Sequence, residues 1–95
     1  GEADVISAFS SDGRIAADRL TVLSDPKGAI PAYDAVVLIS PRRADDRRLK
    51  QALQPMLGKI AVEKMRQANL MVDRDQAKAT PAQAAQWLSG AIGRR

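Results

Sequence analysis

The groups best able to do chemistry in this chain are one aromatic ring and the small polar side chains beside it. They lie in Asp4 to Gly13, Asp-Val-Ile-Ser-Ala-Phe-Ser-Ser-Asp-Gly, where Phe9 is followed by Ser10, Ser11 and Asp12. A ring beside hydroxyls makes a recognition surface. The chain has no histidine and no cysteine, and its only aromatic residues are Phe9, Tyr33 and Trp87. Nucleophilic or general acid–base chemistry would rest on carboxylates and lysines alone, and no pair of these is spaced to work together. The residues therefore indicate binding rather than catalysis, with no catalytic residue, metal ligand or cofactor site to name.

Stepping outward from Phe9, Ala3 to Ser10 alternates loosely and is rich in Val, Ile and Phe, which predicts a strand ended by the Asp12-Gly13 turn signal. Leu20 to Leu23 predicts a second short strand, closed by the turn sequence Ser24-Asp25-Pro26-Lys27-Gly28. A loop follows to Ala32. Tyr33 to Ser40 contains Ala-Val-Val-Leu-Ile with no charge within that run, the pattern of a strand buried on both faces.

Beyond Pro41 the apolar period changes from two to about 3.6. Leu49, Ala52, Leu53, Met56, Leu57 and Ile60 predict an amphipathic helix that Pro55 should kink or break, with Gly58 loosening its end. A second helix is expected from about Val62 to Val72, with Val62, Met65, Ala68 or Asn69, and Val72 along one face. The third has Thr80 as N-cap, Pro81 at the first helical position and Gln83 three residues after the cap, a capping box, with Ala84, Ala85, Leu88, Ala91 and Ile92 as its buried stripe.

Ninety-five residues with 45% hydrophobic content suffice for one small domain or part of one. Cysteine is absent, so neither a disulfide framework nor a zinc–thiolate site is available. No apolar run reaches the roughly 18 residues of a membrane helix, and Gly-Glu-Ala-Asp at the amino end is unlike a signal peptide. Residues 1–40 carry three basic and six acidic side chains, a net of −3, whereas residues 41–95 carry twelve and five, a net of +7. The sign changes at Ser40-Pro41. Three strands followed by three helices, with no partner strands for the first two, is an inventory that predicts a fragment of something larger.

Several stretches carry a resemblance. They are Gly-Glu-Ala-Asp-Val-Ile-Ser-Ala-Phe-Ser-Ser-Asp-Gly-Arg-Ile, Leu-Thr-Val-Leu-Ser-Asp-Pro-Lys-Gly-Ala-Ile-Pro-Ala-Tyr-Asp-Ala, Leu-Lys-Gln-Ala-Leu-Gln-Pro-Met-Leu-Gly-Lys-Ile, Met-Arg-Gln-Ala-Asn-Leu-Met-Val-Asp and Thr-Pro-Ala-Gln-Ala-Ala-Gln-Trp-Leu. In that order the chain resembles the carboxy-terminal part of the substrate-binding proteins of ABC transporters for glycine betaine, choline and related osmoprotectants. The resemblance implies an α/β fold, a fragment of a two-lobed periplasmic-binding-protein-like (type II) architecture with short strands followed by three C-terminal helices. By that likeness residues 1–25 end the second lobe, 26–34 form the hinge crossing with Pro31 and Tyr33 as hinge residues, and 35–95 supply the returning strand and helices of the first lobe. The location it implies is periplasmic or otherwise extracytoplasmic, with the binding protein free, lipid-anchored or fused to its permease. The implied partners are a small betaine-like solute and an ABC permease.

The family's ligand is typically a quaternary ammonium, which has no N–H to donate and is held by the negative faces of aromatic rings, each worth on the order of 0.5–2 kcal/mol. The likeness makes Phe9 one wall of such a cage, with Ser10, Ser11 and Asp12 completing the ligand-binding segment. Relatives usually carry tyrosine at this position, so Phe9 keeps the π face and loses the hydroxyl. Alternatives stay open: Phe9 as core of a half-buried strand, Tyr33 as packing between lobes, Trp87 as helix packing, and the Arg42, Arg43, Arg47, Arg48 and Lys50 cluster as a solvated face. A competing class is a basic nucleic-acid-binding module, favoured by a sequence pI near 10.0 and opposed by an aromatic content of 3%; no nucleic acid is expected as partner. A chain standing alone with residues 1–40 ordered would expose strand edges, which predicts a dimer or strand-swapped assembly.

Overall fold

Four α-helices form among the described residues, and a side-chain cap starts three of them. The computed structural model describes residues 2–31 and 33–93. Helix α1 spans Gly13–Ala17, α2 Arg47–Leu53, α3 Val62–Asp73 and α4 Pro81–Ala91, with single 3-10 turns at Pro41–Arg43 and Gln54–Met56. At the start of α1 the Asp12 carboxylate accepts from the Arg14 amide at 2.9 Å, and at α2 the Asp46 carboxylate accepts from the Leu49 amide at 3.0 Å. The box on α4 forms as its sequence indicates: Thr80 Oγ accepts from the Gln83 amide at 3.1 Å while Gln83 Oε1 accepts from the Thr80 amide at 2.8 Å.

Pro55 interrupts the helix begun by α2, which gives way to the 3-10 turn, and Gly58 follows with φ +68°. The break is the one expected of a ring without an N–H. Helix α3 begins one turn later and ends at Asp73, close to the expected bounds.

The packed part of the molecule is a layer of three helices, α1 and α4 each lying against α3. Its centre is made of small residues: Ala68 on α3 and Ala84 on α4 are the buried hydrophobic residues among those described, 4% and 5% exposed, and Gly13 on α1 is buried with them. Leu88 and Ile92 are half-buried in the α4 stripe, whereas Ala85 and Ala91 face solvent, so the stripe is narrower than the sequence suggested. Trp87 lies at the edge of this layer with Lys64 Nζ 5.6 Å from its ring centroid, a packing role with a cation over the π face.

The three expected strands are not present. Among the described residues no segment forms a strand, and 3–10, 20–23 and 33–40 run without ladder partners. The run meant to be buried on both faces is open, with Val36 74%, Val37 49% and Leu38 88% exposed. The physical reason is that strand composition specifies an extended chain, while a strand exists only when another edge accepts its amides and carbonyls. The radius of gyration, 16.4 Å, exceeds the roughly 12 Å of a compact domain of this length, consistent with extended segments that have no cover here.

Candidate functional site

The segment carrying Phe9 closes a tight turn: the Asp12 amide donates to the Phe9 carbonyl at 3.0 Å, and Asp12 then caps α1. What holds this turn in place lies more than fifty residues away on α3. Arg66 Nε donates to the Ser10 carbonyl at 2.6 Å, and Asn69 Nδ2 donates to the Ser11 carbonyl at 2.7 Å. Gly13, at the head of α1, comes so close to α3 that a Cβ there would sit 2.6 Å from the Leu70 amide nitrogen and 2.8 Å from its Cα. Glycine is thus required by close approach. The turn expected at Asp12-Gly13 closes slightly earlier, from Phe9 to Asp12, and the glycine opens a short helix with a φ outside the positive region where Gly28, Gly58 and Gly93 lie.

On the open side of the turn Phe9 is 67% exposed, and the Tyr33 ring lies against it with centroids 5.6 Å apart and planes tilted by 32°. That separation is within the range of favourable ring pairs. Tyr33 itself is 84% exposed. Phe9 is therefore not sealed in a core in this chain, and the structure brings to it a residue that the sequence reading kept apart as a hinge position. Ser10 is exposed, and Ser11 and Asp12 are half-buried. Of the four residues expected to bind ligand, two have their carbonyls engaged by α3 and one, Asp12, has Oδ1 engaged as a cap. Arg66 and Asn69 were not singled out by sequence reasoning, since nothing local marks a side chain that bonds a carbonyl so distant along the chain.

The loop leading to Tyr33 is itself organised by a carboxylate. Asp25 accepts from the Ala29 amide at 3.0 Å and the Ile30 amide at 2.8 Å, with Gly28 at φ +62° making the bend. The Ile30 amide first, and then that of Ala29, hold the Asp25 carboxyl below its ordinary value of 3.8. Pro31 is exposed in the same loop.

Two open grooves flank α3, one lined by Gln67, Leu70, Met71, Arg74 and Trp87, the other by Ile15, Ala16, Arg19, Leu20, Glu63, Arg66 and Gln67. Neither includes Phe9 or Tyr33. In the basic cluster, Arg43 reaches Asp46 at 2.6 Å through Nη2 and 3.0 Å through Nε, an exposed pair that steadies the start of α2. The Leu49 amide, and after it the Arg43 side chain, keep the Asp46 carboxyl below 3.8.

The structure thus holds an exposed ring pair on a pinned turn, in a chain with little other chemistry. Comparison with known proteins gives this a family: residues 1–90 match the substrate binding domain of the ABC-type glycine betaine transport system, and the chain belongs to that family. Membership implies a periplasmic-binding-protein-like fold, although the described residues of this chain contain helices alone. The carnitine transport binding protein of Listeria monocytogenes serotype 1/2a (strain 10403S) is 35% identical over 71 residues, 74% of this chain and 23% of the relative. A Listeria monocytogenes protein of the same name matches equally. The matched stretch thus spans about a quarter of the length of these curated relatives. No solved structure gives a significant match. No helix among the described residues is long and apolar enough to cross a membrane.

Proposed function

We propose that this chain supplies one side of the ligand cleft in the solute-binding component of an ABC uptake transporter, and that its solute is a betaine- or carnitine-like zwitterion bearing a trimethylammonium group. The observation that carries the reading is the exposed Phe9–Tyr33 pair at 5.6 Å, set on a turn anchored by α3. Two rings form part of a cage, each adding on the order of 0.5–2 kcal/mol toward a methylated cation, and further walls would come from the rest of a protein of the relatives' length. Ser10 and Ser11 hydroxyls, with Asp12 shaping the turn, complete this side of the site.

In the lobe layout we adopt, residues 1–25 end the second lobe, 26–34 cross the hinge through Pro31 and Tyr33, and 35–95 return to the first. The α1–α3 contact then joins segments of both lobes. The apolar runs around Val5, Val22 and Val36 stand exposed beside this layout. Delivery to a membrane permease and an extracytoplasmic location follow from the same reading. A basic nucleic-acid module has no observation in its favour beyond charge.

The test uses a protein of the relatives' length carrying this segment and compares carnitine with its neutral analogue, in which a tert-butyl group of nearly the same size replaces trimethylammonium. Calorimetry should show saturable carnitine binding weakened at least tenfold in the analogue. Equal affinities would mean that the rings do not read charge, and the cage reading would be abandoned.

A further inference from the structure

We propose that Arg66 and Asn69 are positioning residues for the ligand turn: from successive turns of α3 they fix two consecutive carbonyls, those of Ser10 and Ser11, and so set where Phe9 stands relative to Tyr33. The proposal rests on the functional reading above. Three observations support it. The two donors are three residues apart on one helix, so they lie on one face, and their acceptors are adjacent in the turn. Both contacts are short, and one is charge-assisted. The third is steric: Gly13 against Leu70 brings the end of the turn to van der Waals contact with the same face of α3, so the turn has little freedom to slide along the helix. A ring that must meet a cation face-on gains from such a support, because a carbonyl-anchored backbone limits the arc through which the attached side chain swings.

Arg66 is suited to this work because its planar guanidinium aims several donors along fixed directions. It is half-buried, and the bond to Ser10 takes up one of the two lone pairs of that carbonyl. The Asn69 amide does the same for Ser11. A quaternary ammonium has no donor for what acceptor capacity these carbonyls keep, so in this reading the ligand meets the ring and the hydroxyls.

The experiment is a double-mutant cycle on the protein of the relatives' length, read by calorimetry with carnitine well below the unfolding temperature, beside hydrogen exchange of the Asp12 and Gly13 amides. Arg66→Ala is expected to weaken binding about tenfold and Asn69→Asp, which keeps the volume but replaces the donor with an acceptor, about fivefold or more. Arg66→Lys should restore part of the loss. The decisive readout is additivity: if Arg66 acts through Phe9, then Arg66→Ala should cost little once Phe9 is already alanine. Unchanged affinity in both single variants, or fully additive losses in the cycle, would overturn the proposal. If the unmodified protein binds no methylated cation, the ligand reading fails by itself. The exchange measurement then decides whether these side chains hold the turn, with faster exchange in both variants supporting it and unchanged exchange refuting it. Should Arg66→Ala fail to fold, the Lys and Asp variants carry the same comparison.

Discussion

Placing a methyl group at Gly13 tests the geometry of the site at its tightest point. In Gly13→Ala the new Cβ would stand 2.6 Å from the Leu70 nitrogen, where ordinary contact begins at 3.4 Å, and the obstacle is backbone, which cannot rotate away. Helix α1 must retreat by the difference, 0.8 Å, or α3 must bend by as much. A retreat of that size would stretch the Arg66 and Asn69 bonds, now 2.6 and 2.7 Å, to at most about 3.4 and 3.5 Å, the limit of useful hydrogen bonding. Overpacking of this kind costs roughly 1–3 kcal/mol, and alanine's better helix propensity returns at most about 1 kcal/mol. Weakening of the two bonds adds about 1 kcal/mol. A net loss of about 1–3 kcal/mol is therefore expected, seen as a lower urea midpoint at unchanged slope, together with faster exchange of the Asp12 amide and weaker solute binding. If Gly13→Ala leaves midpoint, exchange and binding unaltered, α1 does not approach α3 as described, and the pinning of the turn is refuted.

Other outcomes follow from the caps and carboxylates. Thr80→Ala removes half of the capping box and should cost about 1 kcal/mol of stability, visible as fraying of the first turn of α4 by amide exchange; Thr80→Ser should be nearly silent. For Asp25 the sign is that of a lowered carboxyl: its stabilising effect is complete above the ordinary value of 3.8 and disappears as pH falls through the lower folded value. The Ala29 and Ile30 amides, observed by NMR, should keep their hydrogen bonds from neutral pH down to about that point and lose them only in more acid solution; Asp25→Ala should lack them throughout. Asp46 follows the same direction, so the Leu49 amide at the start of α2 should loosen over the same acid range.

What could be seen in the sequence was what is decided locally. The box at Thr80 and Gln83, the break at Pro55 and the 3.6-residue spacing of Met65, Ala68, Asn69 and Val72 each act within a turn or two of chain, and α4, the end of α2 and α3 form where they indicate. The five-residue α1 escaped because Asp12-Gly13 reads equally as a turn; only the proximity of Leu70 reveals why a glycine stands there. The strands failed for the opposite reason. Residues such as Val36 and Leu38 favour extended chain, but pairing belongs to two segments at once, and the described residues hold no second edge for them. In the candidate site, Phe9 was recognisable as a ring among hydroxyls. Its companion Tyr33 and the supports from Arg66 and Asn69 were not, because they arrive through the path of the loop and the docking of α3.

The most direct measurement of the central claim is the affinity of a protein of the relatives' length for carnitine and glycine betaine, before and after removal of each ring. Phe9→Ala and Tyr33→Ala are each expected to weaken binding by about 2- to 30-fold, the range set by one cation–π contact, while Phe9→Tyr retains it. Undiminished affinity in both alanine variants would contradict the claim that this pair of rings receives the cation.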